Sequence, residues 1–191
     1  IPENVDIVDL ELAGRPARRF LPNGARTDRG VLYLHGGGYY VGSLDAYRSP
    51  MAHLSVAGDA VVTGLDSRLA PENTYPAALD DAVAAFEEMS ESLAAKKLMI
   101  AGDSAGGGLV LSTLLALRDE GTVLPATAII LSPFADLASE SQSRKYNRRA
   151  DPVLPTSRVA QLQKLYIGDS QADNRYISPA MADFDGLPPI L

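Results

Sequence analysis

Runs of consecutive apolar residues alternate with helically spaced ones along most of this chain. Residues 30–35 (Gly-Val-Leu-Tyr-Leu-His), 60–65, 97–101 and 126–131 are short and almost wholly apolar, the signature of strands buried on both faces. Between them the spacing lengthens. Leu79, Val83, Phe86, Met89 and Leu93 recur at three- or four-residue steps after Pro76, which puts one apolar stripe on an otherwise polar helix. Residues 105–117 are apolar nearly all round and predict a buried helix; 47–57 predict a shorter one. Two further strands are expected at 5–12 and 17–21, on either side of Gly14-Arg15-Pro16, with turn chemistry at Pro22-Asn23-Gly24. Strand and helix alternating in this way require right-handed crossovers and a mostly parallel sheet covered on both sides. The expected fold class is α/β, in a single domain over residues 1–191.

Beyond Leu131 the alternation weakens. Residues 139–149 are polar and charged, 151–155 form a proline-bounded loop, and Thr156 opens a helix carrying Val159, Leu162, Leu165 and Tyr166. The chain stops at Leu187-Pro188-Pro189-Ile190-Leu191, which reads as the entry to another buried strand, and it starts at Ile1 rather than Met. An excerpt of a longer product, incomplete at its C-terminal end, is therefore expected.

Composition narrows the function more than the fold. With 46% hydrophobic and 21% charged residues, 191 residues are enough for one ordinary core. Asp and Glu total 24 against 17 Lys and Arg, a net charge of −7 that repels phosphate backbones and anionic lipids, so neither nucleic acid nor membrane is an expected partner. The longest apolar run, at 109–117, is too short to span a bilayer and is broken by Ser112 and Thr113. Cysteine is absent, which excludes disulfides, thiolate zinc sites and a cysteine nucleophile; two histidines, His35 and His53, are too few for a histidine-rich metal site. No metal is expected. The lack of a basic-then-apolar leader points to the cytoplasm. Nucleotide motifs also fail: Val41 occupies the last position of a G-x-G-x-x-G, and Gly108 stands where a phosphate loop needs Lys.

One segment carries chemistry outright. Gly102-Asp103-Ser104-Ala105-Gly106 follows an apolar strand and precedes the buried helix, the setting that a G-x-S-x-G nucleophile elbow requires. A sharp strand-to-helix turn holds the serine in a strained conformation with its hydroxyl projecting from the sheet edge, and the helix N-terminus behind it supplies unpaired N–H groups. The second signal is His35-Gly36-Gly37-Gly38, directly after the strand at 31–34. Such a loop can aim amides at the oxygen of an ester carbonyl under attack, each donor being worth about 3–4 kcal/mol of barrier in comparable sites. The candidate oxyanion donors are the N–H groups of Gly37, Gly38 and Ala105.

These two motifs, with Arg68-Leu69-Ala70-Pro71-Glu72 between them, resemble the hormone-sensitive-lipase-like group of α/β-hydrolases, bacterial carboxylesterases and related acyl hydrolases. The likeness runs on through residues 75–81, 131–137, Ser178-Pro179 and Gly186-Leu187-Pro188-Pro189. It implies the α/β-hydrolase fold, hydrolysis of short- to medium-chain carboxylic esters through an acyl-enzyme on Ser104, no cofactor, a small-molecule ester as substrate and a homodimer as one form of assembly. It implies a lid to which residues 139–166 contribute, with a plain surface excursion as the alternative. Three departures stand out. Ser67 follows Asp66 where the family has Asp-Tyr, no helical cap precedes the first strand, and the family's catalytic acid and histidine would fall after Leu191.

The expected chain order is serine, acid, histidine. No histidine follows Ser104. His35 sits where it would orient the glycine loop, and His53 reads as packing or surface. Asp136 comes one strand too early for the triad acid, and Asp151, Asp169, Asp173, Asp183 and Asp185 read as solvated. The isolated 191 residues are therefore expected to be nearly inactive, since loss of a triad histidine costs about 10⁶-fold. Asp and His are expected in the parent protein beyond Leu191. Tyr39, Tyr40 and Phe134 are candidates for the pocket wall, with core packing as the alternative. Asp103 is read as a tether between loops or a surface carboxylate, and Arg68 with Glu72 as a structural ion pair or loop brace. The rival function is a non-catalytic small-molecule receptor on the same scaffold, as in the plant gibberellin receptor, which lacks the catalytic histidine.

Overall fold

A computed structural model of the protein describes residues 1–138, 142–147, 149–150 and 156–191. Among the described residues six strands form one sheet in the order β1-β2-β4-β3-β5-β6. They are β1 (Val5–Leu12), β2 (Arg15–Pro22), β3 (Arg26–Leu34), β4 (Ala60–Leu65), β5 (Leu98–Asp103) and β6 (Thr127–Leu131). The helices are α1 (Arg48–Gly58), α2 (Ala77–Ser92), α3 (Ala105–Asp119), α4 (Gln142–Asn147) and α5 (Thr156–Ile167). Among the described residues no helix is long and apolar enough to cross a membrane.

The four continuous apolar runs are the strands β3, β4, β5 and β6, and they pair in parallel. The N-terminal pair forms an antiparallel hairpin, in register from Val5↔Pro22 to Leu12↔Arg15, and β2 joins it to β4 antiparallel. The sheet is thus mixed, with its parallel part in the middle and on the β6 side. At that outer edge Pro189–Leu191 run alongside β6: Ala128 N–H donates to Pro189 O at 3.0 Å and Leu191 N–H to Ala128 O at 2.9 Å. Strand boundaries differ from the reading of the apolar pattern by a few residues, as where β2 takes in Arg15, Pro16 and Pro22. β3 begins at Arg26, its first residues pairing across a register shift before Gly30, and β5 continues to Asp103. Both extensions are polar, and backbone pairing rather than apolar burial carries them.

Alternation along β3 shows how both faces are filled. Leu32 and Leu34 face α2 and α3, packing with Leu65, Leu98, Ile100, Phe86, Leu109 and Leu114. Val31 and Tyr33 face the other way, onto Met51 and Ala52 of α1 with Phe20 and Val62. α3 is buried along its whole length from Ala105 to Leu117, as its unbroken apolar character requires. This helix lies directly behind β5, so its N-terminus is carried to the strand's C-terminal end.

Candidate active site

β3 and β5 are neighbours in the sheet, and Leu34 pairs with Gly102. Both strands therefore end at one level, which sets His35-Gly36-Gly37-Gly38 beside Asp103-Ser104. Ser104 has φ +51° and ψ −120°, backbone territory that a side-chain-bearing residue rarely enters and that costs of order 1–3 kcal/mol. Its surroundings over-determine that conformation. Its N–H donates to Leu131 O at 2.9 Å, at the end of β6, and its carbonyl accepts from Gly108 N–H at 3.0 Å and Phe134 N–H at 2.7 Å. The turn is tied at once to the neighbouring strand, the following helix and the segment beyond β6.

The glycines on either side of the serine are steric requirements. A Cβ on Gly106 would run into Leu34 O and stand 2.7 Å from the His35 carbonyl carbon. A Cβ on Gly102 would stand 2.6 Å from Gly106 O. Without them the elbow could not lie against β3. The glycine loop has its own requirement: Gly37 has φ +129°, and its carbonyl accepts from the N–H groups of Tyr40 at 3.2 Å and Val41 at 3.0 Å. That tight turn uses the carbonyl and leaves the amides. Among the described residues the N–H groups of Gly37, Gly38 and Ala105 make no hydrogen bond. Ala105 opens α3, where the first turn's donors have no helical partner and the dipole's positive end lies.

Asp103 holds the loop to the elbow. Its Oδ1 accepts from Gly36 N–H at 3.0 Å and from Tyr33 Oη at 3.0 Å, and its Oδ2 accepts from Tyr47 Oη at 2.8 Å. A Cβ on Gly36 would stand 2.5 Å from Asp103 Oδ2, so the loop can lie on the carboxylate only as glycine. Burial, and then the carboxylate beside it, pushes the Tyr47 hydroxyl up to about 12; burial likewise raises Tyr33. Both phenols therefore stay protonated and donate. Of the two roles open to Asp103, tether and surface carboxylate, the structure shows the tether.

The two histidines separate. His35 is buried, with Nδ1 2.7 Å from Gly36 O, which makes Nδ1–H the donor to the glycine loop. Its Nε2 is buried without a hydrogen-bond partner, 3.9 Å from Asp66 Oδ1. A void of about 10 Å³, room for one water at most, lies between this histidine and Ala105, Gly106 and Leu109. His53 is exposed on α1, with Nδ1 2.8 Å from Ser49 O.

The aromatic candidates also part company. Tyr39 is 6% exposed, stacked on Tyr166 at 3.8 Å between ring centroids, and its hydroxyl donates to Phe134 O at 3.3 Å. Tyr39 is thus a buried cross-brace between the glycine loop, α5 and the segment after β6, and it also lines the small void beside His35. Tyr40 is exposed and Phe134 half-buried. The expected Arg68–Glu72 pair does not form: Glu72 is exposed, and Arg68 instead clasps Asp81 on α2, with Nη2 2.7 Å from Oδ1 and its backbone N–H on Oδ2 at 2.8 Å. Asp169, Asp173, Asp183 and Asp185 are exposed; Asp151 lies outside the described residues. Among the described residues no group of three His, Asp or Glu is placed to hold a metal ion.

Known proteins carry the same architecture. The profile of the alpha/beta hydrolase fold family matches residues 31–191. An acetyl-hydrolase of Streptomyces hygroscopicus is 41% identical over 169 residues, covering 87% of this chain and 56% of its own. An esterase of Acinetobacter venetianus is 31% identical over an alignment of 194 residues, covering 100% of this chain and 64% of its own. The crystal structure of an esterase from the bacterial hormone-sensitive lipase family superimposes with a TM-score of 0.95 at 39% identity, covering 100% of this chain and 64% of that one. The chain spans less than two thirds of the length of these relatives. Elbow, glycine loop, sheet order and relatives agree: the chain belongs to the alpha/beta hydrolase fold family, within its hormone-sensitive-lipase-like group of bacterial esterases.

Proposed function

We propose that the whole protein is a serine carboxylesterase with Ser104 as its nucleophile. The observation that carries this is the strained Ser104 turn set beside three amides, of Gly37, Gly38 and Ala105, that make no hydrogen bond among the described residues. The esterase and acetyl-hydrolase names of the relatives support it.

In this reading the Ser104 hydroxyl attacks the carbonyl carbon of an ester of short to medium acyl chain. A C–O bond forms, the carbonyl π pair moves onto oxygen, and the three amides stabilise that charge. The serine proton passes to a general base, which returns it to the departing alcohol as the acyl-enzyme forms. Water then attacks the acyl-enzyme with the same base accepting its proton, and the free acid leaves. No histidine follows Ser104, so the proposal assigns the base, and the acid that orients it, to the part of the relatives' length that these residues do not span. His35 is not assigned as that base: its Nε2 is buried without a hydrogen bond to Ser104 or to any other described group, and we assign the residue to holding the loop through Nδ1 and Gly36 O. Tyr166, stacked on Tyr39, supports a role for α5 in covering the site; residues 139–141, 148 and 151–155 of the expected lid lie outside the described residues.

Treatment of the full-length protein with a fluorophosphonate tests the reading. Mass spectrometry is expected to find one adduct, on the peptide carrying Ser104, and none in Ser104→Ala. A folded full-length protein that stays unlabelled would overturn the assignment and favour a binding protein on this scaffold.

A further inference from the structure

Near the opposite ends of the parallel strands from Ser104 lies a second cavity, of about 240 Å³, which the chemistry above does not use. Gly30 of β3 and Leu98 at the start of β5 line its floor, with Met89 and Leu93 at the end of α2 beside them. Gly30 keeps that floor open, since a Cβ there would stand 3.2 Å from Leu98 Cδ2 and 3.4 Å from Leu93 Cδ2.

The polar part of the lining is one-sided. Arg19 of β2 and Arg29 of β3 both line the cavity, and no aspartate or glutamate does, in a chain of net charge −7. Among the described residues neither guanidinium forms a hydrogen bond or ion pair. Arg15, Arg18, Arg26, Arg68, Arg118 and Arg175 all have carboxylate partners. Thr63 of β4 pairs with Arg19 across the β2–β4 ladder and so shares its face. It is 1% exposed, lines the cavity, and makes no hydrogen bond through its hydroxyl among the described residues. Arg19 is exposed and Arg29 half-buried, so both guanidinium groups can meet a ligand that enters from solvent, with Thr63 beneath them. One kind of occupant satisfies all three groups together.

We propose that this cavity binds a small amphiphilic anion, its head held by Arg19, Arg29 and Thr63 and its short apolar tail laid against Met89, Leu93 and Leu98. The head is a carboxylate or a phosphate, either of which takes charge-assisted, forked hydrogen bonds from arginine. The volume falls below the roughly 300–1,000 Å³ of drug-sized sites, which suits a ligand of a few carbons. The inference is independent of the reaction assigned to Ser104.

Calorimetric titration of the full-length protein with hexanoate, hexyl phosphate and hexanol tests it. At least one anion is expected to bind, about tenfold or more tighter than hexanol, and the tighter of the two identifies the head group. Arg19→Gln/Arg29→Gln is expected to weaken binding about 100-fold, roughly tenfold for each guanidinium removed, and Thr63→Val several-fold. Hydrolysis of a small ester is expected to stay unchanged in both. A melting curve reports whether the double variant is folded. Crystals of the unmutated protein soaked in ω-bromohexanoate supply a readout free of mutation, with a bromine anomalous peak expected beside Met89 and Leu93. The proposal is overturned if neither anion binds, if hexanol binds as tightly, or if the folded double variant binds unchanged. A crystal in which the protein's own chain fills the cavity would overturn it too.

Discussion

The rim that carries Ser104 and the β1–β2 hairpin are held together in opposite ways. On the hairpin, regular pairing does the structural part and long side chains add exposed ion pairs, such as Arg18 with Asp9 and Asp45, whose carboxylate side chains are 71% and 83% exposed. At the rim, backbone lies on backbone. Gly106 presses on Leu34 and His35, Gly36 lies on Asp103, and the Ser104 carbonyl takes two amides. The hairpin's ion pairs are solvated and separable, so removing one costs little. The rim's interactions are short, buried and shared, so removing one displaces several groups. A strained serine persists only in a setting of the second kind.

Substitutions on the two regions should differ accordingly. The largest effect belongs to Ser104 in the full-length protein. Ser104→Ala is expected to lower kcat by about 10⁶-fold in a steady-state ester assay with folding intact. Ser104→Gly should lose the same activity while gaining about 1 kcal/mol of stability by denaturant titration, because glycine accepts φ +51° without strain. Equal stability of the serine and glycine forms would show that the turn stores none. Gly106→Ala comes next: a Cβ directed at Leu34 O is expected to cost on the order of 4 kcal/mol or to prevent folding, read from the same titration.

Asp103→Ala strands the Gly36 amide and two phenols at once. Its expected signature is a kcat about 100-fold lower with KM nearly unchanged, because an oxyanion loop displaced by about 1 Å loses that much. A stability loss without any fall in kcat would make Asp103 a packing residue only.

Tyr47→Phe removes one of those three donors and is expected to cost about 1 kcal/mol. It also carries a pH signature. The folded-state value of about 12 lies above the ordinary value of 10.0, so this contribution is complete below pH 10 and fades as pH rises from 10 to about 12. The phenylalanine variant should therefore lose less stability than the wild type over that interval. At the small end, Asp9→Ala and Asp45→Ala on the hairpin ion pairs should leave the melting midpoint unchanged within error.

The same contrast explains what is legible in the sequence. The parallel strands can be read because each is a continuous apolar run, and the elbow because its whole signal lies within Gly102–Gly106. Asp103 keeps two possible roles in sequence alone, since its partners Tyr33 and Tyr47 reach it from 70 and 56 residues away. The expected partner of Arg68 is wrong for a related reason. Glu72 is near in sequence, but only the placement of α2 against the loop brings Asp81 to the guanidinium. Tyr39 stands next to the glycine loop, yet the docking of α5 turns it into core through Tyr166. Local chemistry shows in local sequence; contacts between elements do not.

The most direct test is a crystal structure of the full-length protein after phosphonylation. The covalent phosphorus is expected on Ser104 Oγ, with its non-bridging oxygen about 2.7–3.1 Å from the amides of Gly37, Gly38 and Ala105. An adduct whose oxygen faces solvent, or lies beyond hydrogen-bonding reach of all three amides, would contradict the account.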